Sequence, residues 1–177
     1  MRNWGELMRR FMLAAIAVVI LLSPVLSQAS EVAAADAAAI RAVIERQREA
    51  WNRHDMDAYV VDMTPDVDWI NIVGMHWKGR ETVRKAHAAL HKGIFAHSQS
   101  MPPESVELRE IAPGVVVAIK ISRIEGAAPT ADGKPYPEGG NILTLVFVKT
   151  DSGWRIAHAH NTPISREAAA HDPAKAQ

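Results

Sequence analysis

A chain of 177 residues, 48% hydrophobic and 23% charged, has the size and apolar content of one globular domain. It is not a disordered chain, which lacks the apolar surface to offset the entropy of folding. Twenty basic residues balance twenty acidic ones and cysteine is absent, which argues against a nucleic-acid binder and excludes disulfides, a thiolate nucleophile and cysteine-ligated zinc.

Residues 1–29 read as a secretory signal peptide. Arg2, Arg9 and Arg10 precede the uncharged run from Phe11 to Leu22, Pro24 breaks it, and Ser27-Gln28-Ala29 supplies small residues for cleavage. The alternative is an uncleaved anchor, but Ser23, Pro24, Ser27 and Gln28 weaken the second half of the span. Cleavage removes three basic residues and one acidic residue, leaving 17 and 19 and a net charge of −2. The mature protein is therefore expected in the periplasm or outside the cell, with neither nucleic acid nor membrane as partner.

Glu31 to Arg53 reads as a helix, with Ile40, Val43, Ile44, Gln47 and Trp51 on one stripe of a 3.6-residue period. Asp55 is a fitting N-cap for a short second helix bearing Met56, Tyr59, Val60 and Met63, which Pro65 stops. Asp66 to Gly74 predicts a strand, Lys78-Gly79 a turn, and Arg80 to His91 a third helix with Val83, Ala86, His87 and Leu90 on one side. Strands are then expected over Ser105–Ile111, Val115–Ile124, Asn141–Lys149 and Trp154–Asn161, with a Gly/Pro-rich loop over Gly126–Gly140. Pro163 onward reads as a loose tail.

Helices, a strand and a helix, then a four-strand meander describe an α+β architecture. The expected domains are a signal peptide (1–29), the folded domain (30–164) and a flexible tail (165–177). A bent antiparallel sheet wrapped round a long helix makes a cone open at one end, and polar side chains inside it are candidate site residues.

Histidine is the most informative residue type. His87 and His91, four apart on a helix, share a face; His158 and His160, two apart on a strand, share another. If both faces meet in the cone, up to four imidazoles converge, with His87 and His160 as candidate proton carriers. The bland alternative is chance spacing and ordinary hydrogen bonding. Ala88 stands where the helical zinc motif needs Glu, so no metal is expected and a histidine metal site remains a secondary alternative. His54, His76, His97 and His171 read as loop, cap or tail residues.

Asp68 in an otherwise apolar strand would be a base if its surroundings were dry; alternatively Asp66 and Asp68 cap the strand entry and stay in water. Asn71 either donates to a ligand or satisfies a neighbouring backbone group. Trp51 and Trp154 read as packing, whereas Trp69 and Trp77 flank the proposed cone. No G-x-S-x-G elbow is present, and Gly139-Gly140 lacks the Lys-Ser/Thr of a phosphate loop.

In this order, WNRHD (51–55), DVDWINIVG (66–74), WKGR (77–80) with His87, GIFAHS (93–98) and GWRI (153–156) with HNT (160–162) resemble the nuclear-transport-factor-2-like (NTF2-like) superfamily, and within it the small SnoaL-like proteins of SgcJ/EcaC type. The resemblance covers residues 36–164. It implies a cone-shaped α+β barrel, a curved antiparallel (mixed) sheet wrapped around N-terminal helices, that commonly forms a homodimer through its sheet. Relatives include isomerases, dehydratases and cyclases that move protons with Asp/His pairs, and many members without catalysis. It implies His87, Asn71, His160 and Asn161 as pocket residues. No Rossmann, flavin or cysteine signature accompanies it, so no cofactor is expected.

The resulting expectation is a secreted protein binding a small hydrophobic molecule, with possible acid/base catalysis by His87, His160 and Asp68. Asn71, Trp69, Trp77, Asn161, His158 and His91 would contact the ligand. The competing reading is a noncatalytic homodimeric module.

Overall fold

The stripe of the first helix is buried as its spacing requires. In a computed structural model that describes residues 31–130, 133, 135–137 and 140–175, helix α1 (Ala34–Asn52) turns Ile40, Val43, Ile44, Gln47, Ala50 and Trp51 inward. The expected signal peptide lies outside the described residues, as do part of the 126–140 loop and the end of the tail. Among the described residues no helix is long and apolar enough to cross a membrane.

Helix α2 (Met56–Tyr59) starts where Asp55 accepts the Ala58 backbone N–H at 3.0 Å. Strand β1 (Met63–Ile70) follows; it starts before Asp66 and stops at Ile70, short of the expected Gly74. The reason is local: the Asn71 carboxamide oxygen accepts from the backbone N–H groups of Val73 and Met75, closing a turn that leads into β2 (His76–Lys78). Helix α3 (Arg80–Leu90) buries Val83 and, one turn later, His87.

Two short strands, β3 (Gln99–Ser100) and β6 (Ile124–Glu125), form a separate pair. Between and after them run β4 (Ser105–Ala112), β5 (Val115–Ser122), β7 (Asn141–Thr150) and β8 (Gly153–Pro163). The main sheet has the order β2-β1-β8-β7-β5-β4, antiparallel except where β1 lies parallel to β8. Gly140, at φ +81°, opens β7; a Cβ there would sit 2.7 Å from the Ser122 carbonyl oxygen, so only glycine lets Asn141 pair with Ser122. The tail contains a one-turn helix, α4 (Arg166–Ala170), with no buried residue.

Curvature of the sheet around α1 gives the expected α+β cone. At one end its inner face is filled by Met63, Val67, Val116, Ala118, Leu145, Phe147, Ile156 and Ala159, all essentially inaccessible. Charges fasten this end: the buried Asp62 carboxylate takes Arg46 from α1 and Arg155 from β8. Asp36 accepts from Trp154 Nε1 at 2.9 Å and from Lys149 at 2.8 Å.

Candidate functional site

Beyond the packed end the inner face opens into a cavity of about 920 Å³, the size range of small-molecule sites. Its floor is His87. Four aromatic rings surround this imidazole, with centroids at 4.8 Å (Tyr59), 5.2 Å (Trp69), 5.3 Å (Trp77) and 6.0 Å (Trp51). Three of the contacts are edge-on, the arrangement that the ring quadrupoles favour. Trp51 is itself fixed, donating to Ser98 Oγ at 3.1 Å. Tyr136, from the long loop, meets Phe95 at 5.5 Å and narrows the mouth.

The surroundings decide what His87 can do. Its Nδ1 lies 3.0 Å from the Val83 carbonyl oxygen, which can only accept, so Nδ1 carries the proton and Nε2 keeps its lone pair. Among the described residues Nε2 has no partner. Burial pushes the imidazole down to about 4, against the raising effect of the Val83 hydrogen bond and with a smaller contribution from His91. The ring is therefore neutral at physiological pH and lines the cavity as an acceptor. Burial likewise holds the Tyr59 phenol well above its ordinary range, so it stays a donor beside the imidazole.

The sheet wall is different in kind. Alternation along β5 points Val116, Ala118, Lys120 and Ser122 inward, and the last two face the cavity together with Asn141 from β7 and Asn161 from β8. Asn141 Nδ2 donates to Asn161 Oδ1 at 2.6 Å. Lys120 has no acidic partner among the described residues, and burial pushes its ammonium down to about 8. Arg48, the other cation in the wall, is held by the Glu45 carboxylate and the Ser100 carbonyl oxygen. No aspartate or glutamate lines the cavity among the described residues.

Of the residues named from sequence, His87, Asn71, Trp69, Trp77 and Asn161 line this space. Asn71 does so while satisfying the backbone, the second of its two expected roles. Asp68 stays in water: its carboxylate is 47% exposed and meets His76 Nε2 at 2.7 Å on the outer side of the sheet. His76 is thereby a strand residue with a partner. Trp51 packs as expected but also lines the cavity. His91 is buried behind it, at 4.4 Å ring separation, with Nδ1 2.7 Å from His54 Nδ1 and Nε2 unpartnered among the described residues. Burial and then the neighbouring His54 lower His91 to about 4.

His158 and His160 share a face, but it is the outer one. The cause is a bulge in β8: Phe147 pairs with Ile156 while Val146 pairs with His158, so Ala157 is an extra residue. Trp154 and Ile156 point inward before it, Ala159 and Asn161 after it. The convergence of four imidazoles is therefore not formed. Among the described residues no group of three metal-ligating side chains is assembled.

Lys120 and Tyr59 are site residues that sequence reasoning missed. The signal for Lys120 was present: in VVVAIKIS it occupies the parity of Val116 and Ala118, the apolar inward set.

Residues 40–164 match the SnoaL-like domain family. An uncharacterized protein with a cystatin-like fold from Caulobacter vibrioides is 34% identical over 80% of this chain and 99% of its own, with a TM-score of 0.73. Two more distant structures share the fold alone. One is an NTF2-like protein from Novosphingobium aromaticivorans (17% identity, 97% and 96% coverage, TM-score 0.58). The other is a candidate dehydratase of the NTF2-like family from Streptomyces avermitilis (18%, 74% and 97%, 0.59). No curated protein matches the chain.

Proposed function

The chain belongs to the SnoaL-like domain family of the NTF2-like superfamily, and on that premise we propose that it binds a small, largely apolar molecule in the cone, with His87 as the group that accepts a proton or hydrogen bond from it. The observation that carries this is the 920 Å³ cavity floored by a neutral imidazole inside four aromatic rings. Such a wall recognises an apolar body by burial, while Nε2 of His87 offers an acceptor and Tyr59, its ring 4.8 Å from the imidazole, carries a donor hydroxyl. A deprotonation α to a carbonyl, or a dehydration, needs that pairing of base and donor. The likeness to a candidate dehydratase supports this class of chemistry.

A reading without turnover is favoured by one observation. Asp68 and His160, the expected catalytic partners, stand outside, so among the described residues no carboxylate is paired with His87 to raise its basicity. Native mass spectrometry of protein purified without an affinity tag tests the binding reading, with a retained small molecule expected in wild type and its loss in His87→Ala. Wild type and His87→Ala binding the same molecules equally would overturn it. A proton-exchange assay on the retained molecule separates turnover from binding.

We further propose export with cleavage after residue 29, and a homodimer formed through the outer sheet face. There Val115, Val117, Ile119 and Ile121 of β5 lie beside Ile142, Val146 and Val148 of β7, only partly covered. N-terminal sequencing of exported protein and light scattering with an Ile119→Lys variant test the two proposals.

A further inference from the structure

The sheet wall of the cavity holds a lysine, Lys120, with no acidic partner among the described residues. Lys120 is placed there by strand parity, on a row that runs Lys120–Leu143–Asn161 across β5, β7 and β8; Ser122 and Asn141 lie on the next row. With neighbouring strands about 4.8 Å apart and same-face residues about 7 Å apart along a strand, these four side chains share a patch roughly 10 Å across. Their hydrogen-bonding capacity is lopsided. Asn141 Nδ2 is spent on Asn161 Oδ1 and Ser122 Oγ points at Asn141 Oδ1 at 3.5 Å, which leaves the Asn161 amide N–H groups and the Lys120 ammonium as donors without acceptors among the described residues.

A buried charge without a partner is costly and is normally paired or neutralised. Among the described residues the wall supplies no carboxylate, and Arg48 has its own in Glu45. We propose that Lys120, with the Asn161 amide, is the anion-recognition group of the cavity, so that its ligands are apolar molecules carrying a single carboxylate or an equivalent oxyanion. This rests on the binding reading above and narrows it. The apolar body lies against the tryptophans around His87, and the anionic end against the sheet. Burial lowers the Lys120 ammonium only to about 8, so the charged form prevails at neutral pH and an incoming carboxylate would form a charge-assisted hydrogen bond with it.

Calorimetric titration with 2-naphthoate, and with 2-naphthamide as its uncharged counterpart, tests this. Wild type is expected to bind the carboxylate at least tenfold more tightly than the amide. Lys120→Met should bring the two to equality while leaving amide binding in place, and Lys120→Arg should keep most of the preference. Circular dichroism checks that each variant is folded, and the arginine variant keeps the test open if the methionine variant is not. Equal binding of both compounds by wild type, or an undiminished preference in Lys120→Met, would overturn the anion assignment while leaving the cavity a binding site. Failure of wild type to bind either compound would remove the cavity reading and this one with it.

Discussion

The two ends of one inner sheet face obey different rules. Along β5 the inward residues run Val116, Ala118, Lys120, Ser122; along β7, read from its far end, they run Phe147, Leu145, Leu143, Asn141. The first members of each series are inaccessible and interlocked with Met63, Val67 and Ile156, whereas the last face a hollow. The strands and twist are shared, so the backbone does not make the difference. It comes from where the sequence exchanges aliphatic side chains for donors. The filled end supplies stability, and the hollow end spends some of it on holding polar groups away from water.

That contrast predicts effects of different size and sign. Phe147→Ala at the filled end should lower stability by about 3–5 kcal/mol, measured by urea denaturation, with the ligand affinity of the surviving folded fraction unchanged. A loss below 1 kcal/mol would mean that the filled end is not the stabilising one.

Acid should act next, through the floor. His87 and His91 are both held near 4 by burial, below an unfolded value of about 6.5. The unfolded chain then binds more protons between those values, so this stability is present above about 6.5 and is lost as pH falls toward 4. Each ring should cost about 1–2 kcal/mol by pH 5. Urea midpoints from pH 7 to 4.5 measure it, and His87→Gln should flatten its share of the slope.

Lys120→Met should have the opposite sign from Phe147→Ala, raising the stability of the unliganded protein by about 1 kcal/mol. A destabilised variant would show that Lys120 belongs to the scaffold. The smallest effect is expected at Asp68→Asn, within about 0.5 kcal/mol, because an exposed ion pair adds little. Its ligand affinity should equal that of wild type.

The filled end was legible because periodicity and burial are local. Ile40, Val43, Ile44, Gln47 and Trp51 announce the buried side of α1, and Asp55 announces α2. Asn71, Trp69, Trp77 and His87 were legible at the hollow for a related reason: each interrupts or flanks an apolar run on an element whose inner side was already evident. Asp68 follows the second of its two readings, because strand alternation places it opposite to Trp69, toward water, and sequence alone does not tell which side of the strand is dry. β2 was missed because three residues, His76 to Lys78, carry too little pattern to outweigh the turn signal after them. Lys120 was harder to assign because a lone charge in an apolar strand reads as outward-facing, although its parity matches that of Val116 and Ala118.

One extra alanine in β8 has a further consequence. The strand's lining is set by counting, since a sequence unchanged in every letter presents asparagine or histidine to the hollow depending on where the unpaired residue is accommodated. Were Ala157 drawn into regular pairing and the irregularity moved past His160, two imidazoles would enter and Asn161 would leave. Relatives that carry histidine at these two positions on an uninterrupted strand would thus have a different reactive interior. Comparing residue identities column by column would not reveal it; the spacing from Ile156 would.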